Sequence, residues 1–98
     1  MDKERIVKLL HANETLLKSF HVPSVSVFGS VLRGEVGPES DVDILVEFEP
    51  NADIGLFEFV QVKDALGSSL GMPLDLTTPE ALHPAFKDKI LREMLRVA

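Results

Sequence analysis

Apolar residues recur at Ile6, Leu9, Leu10, Leu17 and Phe20, the i, i+3, i+4 stripe of an amphipathic helix over residues 3–20. Pro23 separates this helix from a strand at about 24–28. A Gly-Ser pair follows, and Ser30 is placed to cap a short helix that runs to about Arg33 and ends at Gly34. Gly34, Gly37 and Pro38 make a loop, after which a second strand runs from about Asp41 to Phe48 and stops at Pro50-Asn51. Its alternation is clear: Val42, Ile44, Val46 and Phe48 point to a core, while Asp41 and Asp43 share the opposite side. Asp53 caps a third helix with Leu56, Phe59, Val60, Leu66 and Leu70 inward and Lys63 on the same stripe, closed by Gly71 and Pro73. A third short strand, from Pro73 to about Thr77, contains Leu74-Asp75-Leu76. Thr78-Pro79-Glu80 is a helix-start signature. Pro84 breaks that turn, and a last helix follows with Phe86, Ile90, Leu91, Met94 and Leu95 on its buried side. The order αβαβαβα predicts a small α/β (α+β) fold, a mixed sheet with flanking helices, in one domain spanning residues 1–98.

The chemistry sits where these elements meet. Gly29-Ser30 leaves a strand and opens a helix, whose unpaired N–H groups and partial positive charge suit a phosphate. Gly29 lets the backbone approach closely, and Ser30 adds a hydroxyl donor. A Gly-Ser turn alone is weak, since most such turns are plain caps, and Asp-x-Asp alone is equally common. The combination is specific: with each residue type at about 5–7%, G-S-x10-D-x-D arises by chance in about one chain of this length in a thousand. Two carboxylates on one strand face repel unless a cation joins them, and hard oxygen donors of this kind suit Mg²⁺. Asp75 lies between two inward leucines and so faces outward like Asp41 and Asp43. If the third strand neighbours the second, the three acids converge on one patch. Two metal ions bridged there would steady the attacking and leaving oxygens of a displacement at phosphorus, with Asp75 drawing the proton from the incoming hydroxyl. The competing reading of Asp75 is a strand-edge acid that discourages aggregation.

The run FGSVLRGEVGPESDVDILVEF, and more loosely PLDLTTPEALHPAFKDKILREML, resembles the minimal nucleotidyltransferase (MNT) family, within the superfamily built on the DNA polymerase β palm. The resemblance covers nearly the whole chain and is most specific from Val25 to Phe48. It implies that Gly29 and Ser30 grip the triphosphate of ATP, that Asp41 and Asp43 bind Mg²⁺, and that Asp75 completes the catalytic triad. Arg33, one turn after Ser30, either reaches a phosphate or pairs with Glu35 or Glu39. The implied reaction is attack of a hydroxyl on the α-phosphate with release of pyrophosphate.

Composition narrows the partners. Net charge is −6, and residues 34–62 carry Glu35, Glu39, Asp41, Asp43, Glu47, Glu49, Asp53 and Glu58 with no Lys or Arg. Nucleic-acid binding by counterion release needs a positive surface, so direct DNA binding is not expected. The absence of cysteine removes disulfides, thiolate metal sites and cysteine nucleophiles. No apolar run reaches the length of a membrane span and the start lacks a signal peptide, so a cytoplasmic protein is expected. His11, His21 and His83 lack metal-ligand spacing and read as surface residues.

Larger members of the superfamily carry a further domain that reads the acceptor, and nothing here is left over to form one, so the acceptor is expected on another chain or docked directly onto the exposed carboxylate face. MNT proteins resemble the antitoxin half of pairs whose toxin is a HEPN-domain ribonuclease. There the family implies transfer of AMP to a toxin tyrosine, and an acidic middle region suits a partner with a basic site. Two alternatives stay open: a non-catalytic antitoxin that neutralises its partner by occlusion, and an enzyme that nucleotidylates a small molecule such as an aminoglycoside.

Overall fold

The structure, a computed structural model, describes residues 3–33, 41–51 and 53–97, with Ser30 and Val31 described by their backbone alone. Among the described residues, four strands form one mixed sheet. They are β1 (Ser24–Phe28), β2 (Val42–Glu47), β3 (Leu74–Thr77) and β4 (Leu95–Arg96), arranged β3-β2-β1-β4. β1 runs antiparallel to both β2 and β4, whereas β2 and β3 are parallel. The parallel pair requires a crossover, which is supplied by the long helix α4 (Leu56–Leu70).

Alternation along the strands sends Val25, Val27, Val42, Ile44, Val46, Leu74 and Leu76 to one face. There they meet Ile6 and Leu10 of α1 (Lys3–Ala12), Leu17 of α2 (Glu14–Ser19), and Val62, Leu66 and Leu70 of α4 in a single core. The opposite face carries Ser24, Ser26, Leu45 and Asp43; the first three are buried and Asp43 is half-buried. That face is therefore covered along its middle and open towards the end where Asp43 lies.

Several sequence expectations change. The first helix is divided at Asn13, whose side-chain Nδ2 donates to the Leu9 carbonyl at 2.7 Å while its Oδ1 accepts from Ser69 Oγ of α4 at 3.0 Å. Side-chain bonds of this kind compete with helical backbone bonds. Helix α4 begins after Gly55, not at Asp53, and Glu58 Oε2 accepts from the Gly55 N–H at 2.9 Å. Its buried line is Val62, Leu66 and Leu70, with Phe59 partly covered; Leu56 is 79% exposed, and Val60 and Lys63 are also exposed. At 100° per residue, Val60 stands about 200° from Val62, on the far side of the helix.

The last helix, α5 (Pro84–Glu93), buries none of its residues fully. Phe86 is 59% exposed, Ile90 and Leu91 are partly covered, and the chain leaves the helix at Met94 to add β4 beside β1. Leu95 is thus a strand residue, exposed, and Val97 fastens the end by donating its N–H to the Val25 carbonyl at 2.8 Å. The helix-start signature at Thr78-Pro79-Glu80 becomes a 3₁₀ turn, Pro79–Ala81, packed against β2. Gly34, Gly37 and Pro38 lie outside the described residues.

Candidate active site

β1 ends at Phe28, and the chain turns at Gly29 with φ +68° into the short helix α3 (Ser30–Arg33). This is the left-handed region, which glycine enters without a Cβ penalty. The space beside it is also taken, by the side chain of Asp43. A Cβ there would collide with Oδ2 of Asp43 and lie 3.1 Å from its Cγ. The Asp43 carboxylate is therefore laid directly against the turn that opens α3.

Asp43 is also the register partner of Phe28 on β1 and of Asp75 on β3. Neighbouring strands stand about 4.8 Å apart, so Asp43 and Asp75 project side by side from one face. Asp41 immediately precedes β2, two residues before Asp43. Asp41 and Asp75 are exposed, and Asp43 is half-buried. The three sequence-predicted acids and Gly29 are thus gathered at one end of the sheet by backbone position. Among the described residues, no three Asp, Glu or His side chains stand close enough together to hold a metal ion as placed. The gathering is one of anchor points, with Asp43 turned toward Gly29.

Arg33 is exposed at the end of α3, and its expected partners Glu35 and Glu39 lie outside the described residues. The Ser30 backbone sits at the first position of α3. All three histidines are exposed, as expected. His21 Nδ1 approaches Glu49 Oε2 at 3.5 Å, and His83 Nδ1 accepts from the Ala85 N–H at 3.0 Å to cap α5. No described helix is long and apolar enough to cross a membrane.

A cleft of about 620 Å³ opens beside Gly29, lined by Phe28, Leu32 and Arg33 on one side and by Phe86, Lys89, Ile90 and Glu93 of α5 on the other. Sequence reasoning missed this wall because it assigned Phe86 and Ile90 to the core.

The nucleotidyltransferase domain model matches residues 6–97, which include every strand of the sheet and the whole G-S-x10-D-x-D string. The chain belongs to the nucleotidyltransferase domain family. This nucleotidyltransferase is 37% identical over 95 residues to the protein adenylyltransferase MntA of Thermococcus cleftensis, an alignment covering 96% of this chain and 94% of the relative. A solved structure of a minimal nucleotidyltransferase superposes with a TM-score of 0.82 at 35% identity, over 97% of this chain and 95% of that one. A toxin–antitoxin structure with AMP-PNP shares the fold at a TM-score of 0.67 and 19% identity, covering 100% of this chain and 73% of its own. The expected fold, a small mixed sheet with flanking helices in the manner of a polymerase β-like palm, agrees with these structures.

Proposed function

We propose that this nucleotidyltransferase moves AMP from ATP onto a tyrosine hydroxyl of a partner protein, a HEPN-class toxin, and thereby acts as its antitoxin. The observation that carries the reading is the placement of Asp43: in register with Asp75, two residues from Asp41, and seated on the Gly29 turn. A metal-binding carboxylate site and a phosphate-binding turn share one wall there. The name of the Thermococcus relative supports adenylyl transfer to protein, and the fold shared with a toxin–antitoxin structure with AMP-PNP supports the partner class.

In this reading Gly29 and Ser30 present backbone N–H groups to the triphosphate, Ser30 adds its hydroxyl, and Arg33 supplies a cation to the same phosphates. Asp41, Asp43 and Asp75 offer only hard carboxylate oxygens, the donor chemistry that Mg²⁺ selects. Neighbouring anchor points leave side-chain rotation to bring their oxygens together. Two bound Mg²⁺ ions would polarise the phosphoryl oxygens and offset charge that builds in the transition state. The tyrosine oxygen forms a bond to the α-phosphorus while the bond from that phosphorus to pyrophosphate breaks. The electron pair of the broken bond leaves with pyrophosphate, and the phenolic proton passes to the Asp75 carboxylate. The acidic run through residues 34–62 suits approach by a partner with a basic surface.

The deciding experiment combines purified protein, ATP, Mg²⁺ and a HEPN-type protein taken from the neighbouring reading frame, where one is present. Intact mass of that partner should rise by one or more AMP groups. Neutralisation of the partner with no adduct would overturn transfer and leave occlusion in its place.

A further inference from the structure

The cleft beside Gly29 joins aromatic and apolar side chains to two cations and one acid, and its far wall is α5. Phe86, Lys89, Ile90 and Glu93 fall at i, i+3, i+4 and i+7, so one face of that helix looks onto the cleft. Its volume lies within the about 300–1,000 Å³ usual for small-molecule sites. Phe86 is a large apolar ring left 59% exposed, although its cost in water could have been avoided by burial or by a polar residue. The ring is braced from its helix N-terminus by His83, at 5.7 Å between centroids, and His83 is itself held by its bond to the Ala85 N–H. An exposed aromatic fixed in this way offers a stacking platform. Lys89 makes no ion pair with any described residue, including Glu93 four residues on. Its ammonium therefore enters the cleft as an uncompensated charge, facing the side that carries Gly29 and Arg33.

The geometry points to α5 as a nucleotide-holding element: Phe86 stacks on the base of a nucleoside triphosphate, and Lys89 pairs with its polyphosphate across the cleft from Arg33. The Glu93 carboxylate repels phosphate and suits the ribose hydroxyls or an amino group of the base. This assignment rests on the nucleotide-transfer reading above, and it adds a wall that the G-S-x10-D-x-D string does not contain.

Two probes separate the two roles. A non-hydrolysable ATP analogue carries base and phosphates, whereas inorganic tripolyphosphate carries phosphates alone. Binding of each, with Mg²⁺ present, is measured by calorimetry for the wild type, Phe86→Ala, Phe86→Trp, Lys89→Met and Phe57→Ala. Phe57 is an exposed aromatic of α4, outside the residues lining the cleft. Phe86→Ala should weaken the analogue about tenfold, as loss of one stacked base does, and leave tripolyphosphate within about twofold. Phe86→Trp should restore the analogue. Lys89→Met should weaken both probes about tenfold, and Phe57→Ala neither. Circular dichroism confirms that each variant is folded.

Wild-type binding with Phe86→Ala and Lys89→Met unchanged would overturn the role of α5 while sparing the function. Equal loss of both probes in Phe86→Ala would overturn stacking. A wild type that binds neither probe would overturn both the function and this inference.

Discussion

Oδ2 of Asp43 occupies the space that a side chain at Gly29 would need. The two positions are joined by the β1–β2 register, in which Phe28 faces Asp43, so a side chain at residue 29 must push the Asp43 carboxylate aside. Gly29→Ala combines a left-handed φ of +68° with that collision. The strain is expected to cost about 1–3 kcal/mol, and the displaced carboxylate should lower nucleotide transfer well beyond what the stability loss explains. Thermal unfolding and a pyrophosphate-release assay on the same sample separate the two effects.

Gly71 provides the control. It ends α4 with φ +67°, yet a Cβ there would meet nothing within 4 Å. Gly71→Ala should cost only the backbone term, about 1–2 kcal/mol, and leave transfer intact below the melting transition. For a domain of this size that is about 4–8 °C in Tm per kcal/mol. Equal activity losses at residues 29 and 71 would show that the Asp43 contact has no special standing.

Replacement of Asp41 or Asp43 by Asn removes charge while keeping shape. Losing several kcal/mol of transition-state stabilisation corresponds to about a 10²-fold or greater fall in transfer. Asp75→Asn should fall by about 10²–10⁴-fold, as for loss of a general base. Unfolding midpoints should hold for Asp41→Asn and Asp75→Asn, whose side chains are exposed. If the variants still neutralise the partner protein, protection is by occlusion.

Chelation offers a separate check. Excess EDTA should abolish transfer, and Mg²⁺ added back should restore it. Transfer that survives chelation would remove the metal role assigned to the three aspartates.

Ser26 is 1% exposed, and its Oγ has no hydrogen-bond partner among the described residues. It sits in the middle of the covered face, opposite Leu45 on one side and Arg96 on the other. A buried, unpaired hydroxyl carries a desolvation cost of about 1–3 kcal/mol. Ser26→Ala should therefore stabilise the protein, by about 1 kcal/mol after the lost contacts are allowed for, as read from urea unfolding.

The parts of this fold that announce themselves in the sequence are those with a strong local period. β2 is legible because Val42, Ile44 and Val46 recur at every second position beside Asp41 and Asp43, although Leu45 interrupts the polar side, and β3 because Asp75 is bracketed by leucines. The glycine at residue 29 is legible because the string around it is improbable. β4 is not, since two residues cannot show an alternation, and its place depends on a distant bond from Val97 to Val25. The inward line of α4 is not legible, because Leu56 and Val60 keep helical spacing with each other but lie on the uncovered side. Only the packing of Val62, Leu66 and Leu70 against the sheet fixes which of two apolar lines is covered. The Asp43–Asp75 register was conditional in the sequence, since nothing local states that β3 lies beside β2.

The outermost strands of the sheet are four and two residues long, at Leu74–Thr77 and Leu95–Arg96. Short borders give a foreign peptide few backbone groups on which to template, which is a common guard against runaway polymerisation. Recruitment of another macromolecule by strand addition is correspondingly disfavoured. A companion recognised through side-chain relief and charge instead can have its selectivity drift by surface substitution while the hydrogen-bonded scaffold stays constant.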